Sequence, residues 1–366
     1  MTSFTIETLT IPASITDPDA ADFIEMVHVR NEIEADTVGS RDLAYEPAEL
    51  LPHYHDAYQP QTCIVARVGG RIVARAIYEA PVEEGATDVW LSVEVLPAFR
   101  GHGIGSALYD RLAAMTVADG RTVRQCYIMH KQVDSGEQLP SPTGFGSVPL
   151  HSPETRFVLS RGFRLEQVER MSRLELPVDQ VEFDAMLENA RGHADEYVLE
   201  RWEGKAPEKW LAGIGLLRQR MSTDAPAAGL DVNEENWTED RVRDYEERRS
   251  ESPRAVLTTI AVHAVTGDIA GFTELSIPPE LDRPVEQNDT LVLREHRGHR
   301  LGMLLKLANL RFLAETHPGH PAVTTFNAEE NRPMLDVNEA IGFVAVGYGG
   351  GWKRAADTVD TAGAAD

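Results

Sequence analysis

The alternation of apolar and polar residues predicts the same succession of strands and helices in both halves of this 366-residue chain. Two-residue alternation with β-branched residues indicates strands, and apolar residues spaced three and four apart indicate helices. The predicted order in each half is β, α, α, β, β, β, α, β, α, β. A repeat of this length predicts two similar domains. We expect them over residues 1–176 and 177–354, joined at a polar break near Pro177, with a disordered acidic tail over 355–366.

Turn residues and prolines support this order. Gly69-Gly70 joins two apolar runs into a predicted hairpin, and 266–268 joins the matching runs of the second half. A strand ended by Pro97 precedes a predicted helix from about residue 103 to 118, and residues 131–151 read as a long polar loop. The predicted fold class is α/β in the α+β sense, with mixed, mostly antiparallel sheets flanked by helices.

Composition narrows the functional classes. A net charge of −24 argues against a nucleic-acid partner, and an acidic surface suits cationic small molecules or simply keeps the protein in solution. The chain has no apolar run near 18 residues and its first residues lack a signal-peptide pattern, so we expect no membrane contact. Its two cysteines, Cys63 and Cys126, cannot build a disulfide framework. The predicted location is the cytoplasm.

Two nearly identical glycine turns follow the fourth predicted strand of each half. They read "AFRGHGIG" at residues 98–105 and "HRGHRLG" at 296–302. Each opens a helix, whose first N–H groups lie at the positive end of the helix dipole. Glycines let a bound group approach the backbone, so a pyrophosphate is the expected ligand. The alternative is a purely structural turn. A dinucleotide fold does not fit, because that turn follows a first strand and begins with another glycine.

The segment "VEVLPAFRGHGIGSALYDRL" resembles the acyl-CoA-binding motif of the GNAT superfamily of N-acetyltransferases, Q/R-x-x-G-x-G/A. Arg100, Gly103 and Gly105 fill that motif. The resemblance implies two tandem GNAT folds, acetyl-CoA as acyl donor without a metal, and transfer to a primary amine of a small, cationic molecule. A non-catalytic acyl-CoA sensor and a protein N-terminal or lysine acetyltransferase are the alternatives. The protein is expected to be a monomer or a homodimer.

The resemblance also implies which residues bind the donor. The fourth strand pairs with the pantetheine arm and the glycine turn cradles the pyrophosphate. In the first half these residues are Val93, Val95, Arg100, Gly101, His102, Gly103, Ile104, Gly105 and Ser106. In the second half they are Leu291, Val292, Leu293, Arg297, Gly298, His299, Arg300, Leu301, Gly302 and Met303, with Asn327 and Asn331.

The two copies differ within this motif. Arg300 occupies the position of Gly103, which keeps the backbone N–H but adds a charged side chain. Asn331 matches a family asparagine eleven residues before Gly-Phe, and His151 takes that place in the first half. Each half therefore retains a different part of the signature.

The catalytic candidates follow from the proton transfers that acetyl transfer to an amine requires. The tyrosine that protonates the leaving thiolate in many family members is replaced by Val158 and Asn338, so bulk water or another residue such as Tyr348 would have to serve. Candidate bases are Glu94, His130 and Asp289, with Glu274 on the neighbouring strand. The alternative for each is an ordinary solvated or hydrogen-bonded side chain.

The stretch "HYHDAY" at residues 53–58 is the candidate for acceptor binding. His53 and His55 alternate as they would on a strand face, with Tyr54 between them. The stretch falls where the GNAT fold covers its acceptor, so we expect these three residues to line the substrate pocket. Surface packing and a metal site are the alternatives, although two histidines without further ligands are a weak metal signal.

Overall fold

The computed structural model describes residues 3–131 and 135–355, and within them strands from both halves form one twelve-stranded sheet beside a two-stranded ribbon. The first half contains β1 (Thr5–Thr8), α1 (Ala21–Val38), α2 (Pro47–Tyr54), β2 (Gln61–Val68), β3 (Arg71–Glu79), β4 (Asp88–Val95), α3 (Ile104–Ala118), β5 (Val123–Lys131), β6 (Gln138–Pro140), β7 (Ser147–Pro149), α4 (Pro153–Ser160) and β8 (Arg164–Glu175). The second half contains α5 (Gln180–Arg191), β9 (Tyr197–Glu203), α6 (Leu211–Asp224), α7 (Glu239–Ser250), β10 (Ala255–His263), β11 (Ile269–Ile277), β12 (Val285–Val292), α8 (Leu301–Thr316), β13 (Ala322–Ala328), α9 (Arg332–Ile341) and β14 (Val344–Ala355).

The repeated order of elements and the fold class are confirmed, with two local corrections. The predicted loop over residues 131–151 includes the β6–β7 ribbon, and its residues 132–134 lie outside the described part. The polar break after Pro177 is followed by α5, because the Asp179 carboxylate caps that helix by accepting hydrogen bonds from two of its first N–H groups. Ala355 ends β14, and the rest of the predicted tail lies outside the described residues.

The last strand of each half belongs to the sheet of the other half. The strand order is β1-β2-β3-β4-β5-β14-β8-β13-β12-β11-β10-β9. β14, from the end of the chain, pairs with β5 of the first half, while β8 pairs with β13 of the second half. The boundary at residues 176/177 stays a prediction. The exchange means that each half contributes its last strand to the sheet region of the other half.

The exchanged strand β14 also contributes to the first-half core. Trp352 on β14 is fully buried among first-half side chains, opposite Cys126 of β5. Four apolar clusters cover the two faces of the sheet. Helices α1, α2, α6 and α7 lie on one face, and the helices that follow the glycine turns, α3 and α8, lie with α4, α5 and α9 on the other. Among the described residues no helix is long and apolar enough to cross a membrane.

Candidate functional site

The first glycine turn forms a cradle of unpaired N–H groups between β4 and α3. Gly101 and Gly103 have φ values of 76° and 87°, which L-residues with side chains adopt rarely. In the part of the chain that the structure describes, the N–H groups of residues 101–106 donate no backbone hydrogen bond. A Cβ on Gly105 would lie 3.5 Å from Val95 Cγ2, so the helix start packs closely on the strand. This arrangement can bind a polyphosphate.

The second cradle keeps the same backbone conformation despite Arg300. Gly298 has φ 92°, and Arg300 has φ 53° and ψ 22°, the left-handed conformation that Gly103 adopts in the first copy. No heavy atom lies within 4 Å of a Cβ built on Gly103, so the fold itself leaves space for a side chain at this position. The Arg300 guanidinium donates a hydrogen bond to the Asn189 side chain on α5. Within the described residues, the N–H groups of 298–303 also lack backbone acceptors.

Arg100 and Arg297 hold the two cradles in the same way. Arg100 Nε donates to the carbonyl of Val95 at 3.0 Å, and its guanidinium pairs with Asp36 at the end of α1. Arg297 Nε donates to the carbonyl of Val292 at 3.1 Å and pairs with Asp224 at the end of α6. These contacts fix each turn against its strand and against a helix, α1 in the first half and α6 in the second.

Each cradle lies at the end of a strand that separates from its parallel neighbour. β4 pairs with β5 only from Asp88 to Trp90, and β12 pairs with β13 only at Val285 and Glu286. The strands then diverge, which exposes backbone groups on β4 and β12. In the first half Val93 and Val95 pack on the α3 side. In the second half a bulge in β12 shifts the register, and Leu291 and Leu293 are buried on the α6 side.

A cavity of about 360 Å³ lies next to the first cradle. The ends of α1 and β5 and the start of α4 line it, with Asp36, His130, Lys131, Glu137, His151 and Glu154 among its side chains. His130 is 4% exposed, and its Nε2 has no hydrogen-bond partner among the described residues. Burial lowers the pKa of His130, although Glu154 acts in the opposite direction. A neutral imidazole therefore faces the cavity at pH 7.

Strand exchange brings two of the predicted catalytic residues together. Tyr348 on β14 lies directly opposite His130 on β5, and it packs against the first-half core. Opposed residues of an antiparallel pair project on the same face with Cβ atoms about 5 Å apart. A tyrosine of the second half thus lies beside His130, which lines the first-half cavity.

Glu94 is bound in an ion pair rather than available as a base. Both its carboxylate oxygens accept hydrogen bonds from Arg75, at 2.6 and 2.8 Å, and Ser92 donates a third. Burial alone would raise the pKa of Glu94, but Arg75 outweighs it, so the pKa lies below its ordinary value. A carboxylate of low pKa is a poor proton acceptor near neutral pH.

The carboxylates of the second half surround two buried arginines. Asp289 lies at the β12 bulge, inside the strand. Burial raises the pKa of Asp289, while Arg218, 3.5 Å away, lowers it less. Glu274 pairs with Arg218 at 2.8 Å and with Arg249 at 3.1 Å, and these contacts hold its pKa below the ordinary value despite burial. Asp289 is therefore the better proton acceptor of the two.

The strand-like spacing predicted for His53, Tyr54 and His55 is wrong, because this stretch ends helix α2. Tyr54 points inward, packs on the Phe23 ring and accepts a hydrogen bond from Arg75 at 3.2 Å. His53 and His55 are exposed, and His55 Nε2 contacts the Pro12 carbonyl. The structure thus separates the three predicted acceptor-binding residues. Among the described residues no cluster of histidine, cysteine and carboxylate side chains has an arrangement suited to a metal.

The asparagines of the second half lie around the start of α9. Asn331 is the N-cap residue of α9. Asn327 on β13 accepts a hydrogen bond of 2.6 Å from Asn338, which occupies the expected tyrosine position. Asn338 is buried and its Oδ1 lacks a partner in the described part, whereas Val158 in the first half is an ordinary core residue. Neither position supplies a proton donor like a tyrosine.

One titratable residue close to Glu94 has no distinguishing signal in the sequence. Glu34 on α1 carries a buried Oε2 without a hydrogen-bond partner among the described residues. Burial and the nearby charge of Glu94 raise its pKa. Because α1 contains several acidic residues, only the three-dimensional position identifies this one.

A family model matches part of the first half. Residues 28–132, from α1 to just past β5, match the model of the Acetyltransferase (GNAT) family. This range contains the first cradle and two of the candidate bases, Glu94 and His130. No curated protein matches the chain significantly.

Solved structures resemble the chain over its full length. A tandem GNAT protein from the clavulanic acid biosynthesis pathway matches with a TM-score of 0.74 and 24% identity, over 98% of this chain and all of that one. A GCN5-related N-acetyltransferase from Sphaerobacter thermophilus matches with a TM-score of 0.61 and 13% identity, over 96% and 95%. A glucosamine N-acetyltransferase region of a fungal β-N-acetylglucosaminidase gives 0.58 and 14%, over 96% and 38%. The chain therefore has the tandem GNAT fold.

Proposed function

We propose that this tandem GNAT-fold protein transfers an acetyl group from acetyl-CoA to a primary amine of a small, cationic molecule. We further propose that the first half carries out the reaction. The observation that carries the proposal is the first cradle with its unpaired N–H groups. Arg100 joins this cradle to Asp36 and Glu154, which line the cavity that contains neutral His130. The family match over residues 28–132 covers the same elements.

The donor supplies a thioester, whose carbonyl carbon a neutral amine attacks. The new C–N bond forms, the C–S bond breaks, and the sulfur leaves as a thiolate that takes up a proton. The first cradle would hold the pyrophosphate through the N–H groups of residues 101–106, and the exposed edge of β4 would hold the pantetheine arm. His130 lines the cavity, and Tyr348 lies opposite it on β14. A hydroxyl here can donate a proton to the leaving sulfur, and an imidazole can accept the proton that the nitrogen loses as the C–N bond forms.

We infer that the second half binds acetyl-CoA as well. Its cradle retains the left-handed turn and the unpaired N–H groups, and Arg300 adds a positive charge on the same turn. Calorimetric titration should then give two acetyl-CoA molecules per chain. Arg100→Ala and Arg297→Ala should each weaken one of them, because each change releases its cradle from Asp36 or Asp224.

The activity test measures release of free CoA thiol from acetyl-CoA with a panel of primary amines and a lysine-containing peptide. Tyr348→Phe should lower kcat about 10²-fold without changing acetyl-CoA affinity, as expected for loss of a proton donor. Tyr58→Phe is the matched control, since among the described residues that hydroxyl has a hydrogen bond only with the exposed Asp244 side chain. Acetyl-CoA binding without turnover on any amine would instead indicate a sensor, and turnover on the peptide alone a protein acetyltransferase.

A further inference from the structure

A row of side chains crosses the sheet on the face opposite α3, at the point where β4 and β5 separate. Val89 and Leu91 are buried on the α3 side, so Trp90 between them faces the other way. The Trp90 ring stacks on Tyr127 of β5, with centroids 5.2 Å apart and planes within 8°. Tyr127 remains 42% exposed. An aromatic surface therefore lies open at the apex of the first-half strand separation.

Glycines of β14 let this aromatic pair reach two polar side chains of β8. β14 lies between β5 and β8, and Gly351 is opposite both Tyr127 and Gln167. A Cβ on Gly351 would lie 3.1 Å from Tyr127 Cε1 and 2.9 Å from Leu230 Cδ1, so a side chain here would have to displace its neighbours. Because no side chain intervenes, the Tyr127 hydroxyl lies 3.2 Å from Gln167 Oε1 and 3.5 Å from Glu169 Oε1.

Two carboxylates, those of Glu169 and Glu330, lie together beside the Trp90–Tyr127 pair, and we call this group of four side chains the recess. Gln167 Nε2 donates to Glu330 Oε1 at 2.7 Å, and Glu330 Oε2 is buried with no hydrogen-bond partner in the described residues. No arginine, lysine or histidine of the described chain forms an ion pair with Glu169 or Glu330. Burial and the neighbouring Glu330 charge raise the pKa of Glu169 to about 7, against a smaller opposing effect of Tyr127.

An unpaired, partly desolvated carboxylate pair is unfavourable unless a cation is supplied. Trp and Tyr faces attract cations through their ring quadrupole. The recess thus combines both features that recognise an ammonium group. Tyr127 and His130 are three residues apart on β5, so the recess and the cavity at His130 lie on opposite faces of the sheet. The residues come from both halves, since Glu330 follows β13 of the second half.

We propose that Trp90, Tyr127, Glu169 and Glu330 form the acceptor site of the first half, where they bind a protonated primary alkylamine. In this site Glu169 accepts the ammonium proton, which leaves the neutral amine for attack on the thioester. This assignment rests on the proposed acetyl transfer for its chemistry. Recognition of the cation by the recess does not require turnover.

The test uses 1,4-diaminobutane as the probe and the full-length protein. Calorimetry without acetyl-CoA should show diamine binding that Glu169→Gln and Tyr127→Leu each weaken about tenfold. Glu330→Gln should weaken it as well, and it serves as a second acidic variant if Glu169→Gln folds poorly. Glu175→Gln is the control, because that exposed carboxylate lies on the same strand. Acetyl-CoA affinity should not change in any of the four variants.

The pH dependence adds a second readout. The groups facing Glu169 are Tyr127 from β5 and Glu330 from the turn after β13, while Gly349 and Ala328 on the flanking strands carry no charge. The acid limb of kcat/KM near pH 7 should disappear in Glu169→Gln but remain in Glu175→Gln. Equal diamine binding by wild type and Glu169→Gln, or no binding by wild type, would overturn the proposal. Diamine binding without acetyl transfer would instead refute the proposed function and leave the recess intact.

Discussion

The buried Arg75–Glu94 pair gives the sharpest test of how the first-half site is held together. Their side chains are only 10% and 16% exposed, and two hydrogen bonds of 2.6 and 2.8 Å join them. Removing one partner leaves the other charge buried and uncompensated, which costs about 3–5 kcal/mol. Arg75→Met and Glu94→Leu should each lose that amount. The double variant should lose less than either, because two apolar side chains of similar size need no partner.

The measurement is a double-mutant cycle by chemical denaturation. The expected coupling energy is about 3 kcal/mol. Because the pKa of Glu94 lies below its ordinary value, its stabilisation is complete above the ordinary carboxyl range and is lost as the pH falls through the folded value. The deficit of Glu94→Leu should therefore shrink in acid. Single variants that cost under about 1 kcal/mol and add independently would refute the account of Glu94 as a structural carboxylate.

Three further predictions concern turns, thiols and pH. Gly103→Ala should destabilise the protein by about 1 kcal/mol, because φ at this position is 87°. Gly302 has a helical conformation and also has no heavy atom within 4 Å of a built Cβ, so Gly302→Ala should be neutral or stabilising. The melting temperatures of the two variants measure the difference. Burial raises the pKa of Cys63 and Cys126 to about 12, so Ellman's reagent at pH 8 should label neither thiol until denaturant is added. Glu169→Gln should raise the free energy of unfolding at pH 8 by about 1–3 kcal/mol and should not change it below about pH 5. The reason is that a carboxyl with a raised pKa destabilises the folded protein once it ionises, as the pH rises toward and through 7. Equal melting temperatures of wild type and variant at pH 8 would contradict this.

Local patterns predicted much of the fold. Hairpin glycines, apolar periodicity and the two glycine turns each depend on residues close in sequence, and the predicted order of elements was confirmed in both halves. The cradle conformation was also foreseeable, because Gly101 and Gly103 mark left-handed positions. Arg300 shows the limit of that inference, since a non-glycine residue adopts the same conformation with support from α5.

Long-range pairing was not predictable from the sequence. β8 and β14 occupy equivalent places in the two repeats, and nothing in their alternation distinguishes pairing within a half from pairing across halves. The neighbours of Tyr348, Glu169 and Glu330 depend on that choice, so the composite recess could not be predicted. The sequence shows the glycine-rich segment of β14. It does not show that these glycines leave room for Tyr127, because Tyr127 belongs to the other half.

The exchange of closing strands also sets the order in which the protein can fold during synthesis. β5 ends at Lys131, yet the strand that covers its free edge ends at Ala355. At about 5–20 residues per second, the edge of β5 stays open on the ribosome for on the order of 10–40 s. An unpaired edge is a site where other chains can add strands. We therefore expect strand addition by other chains to be most frequent while the first half is complete and β14 has not yet been synthesised.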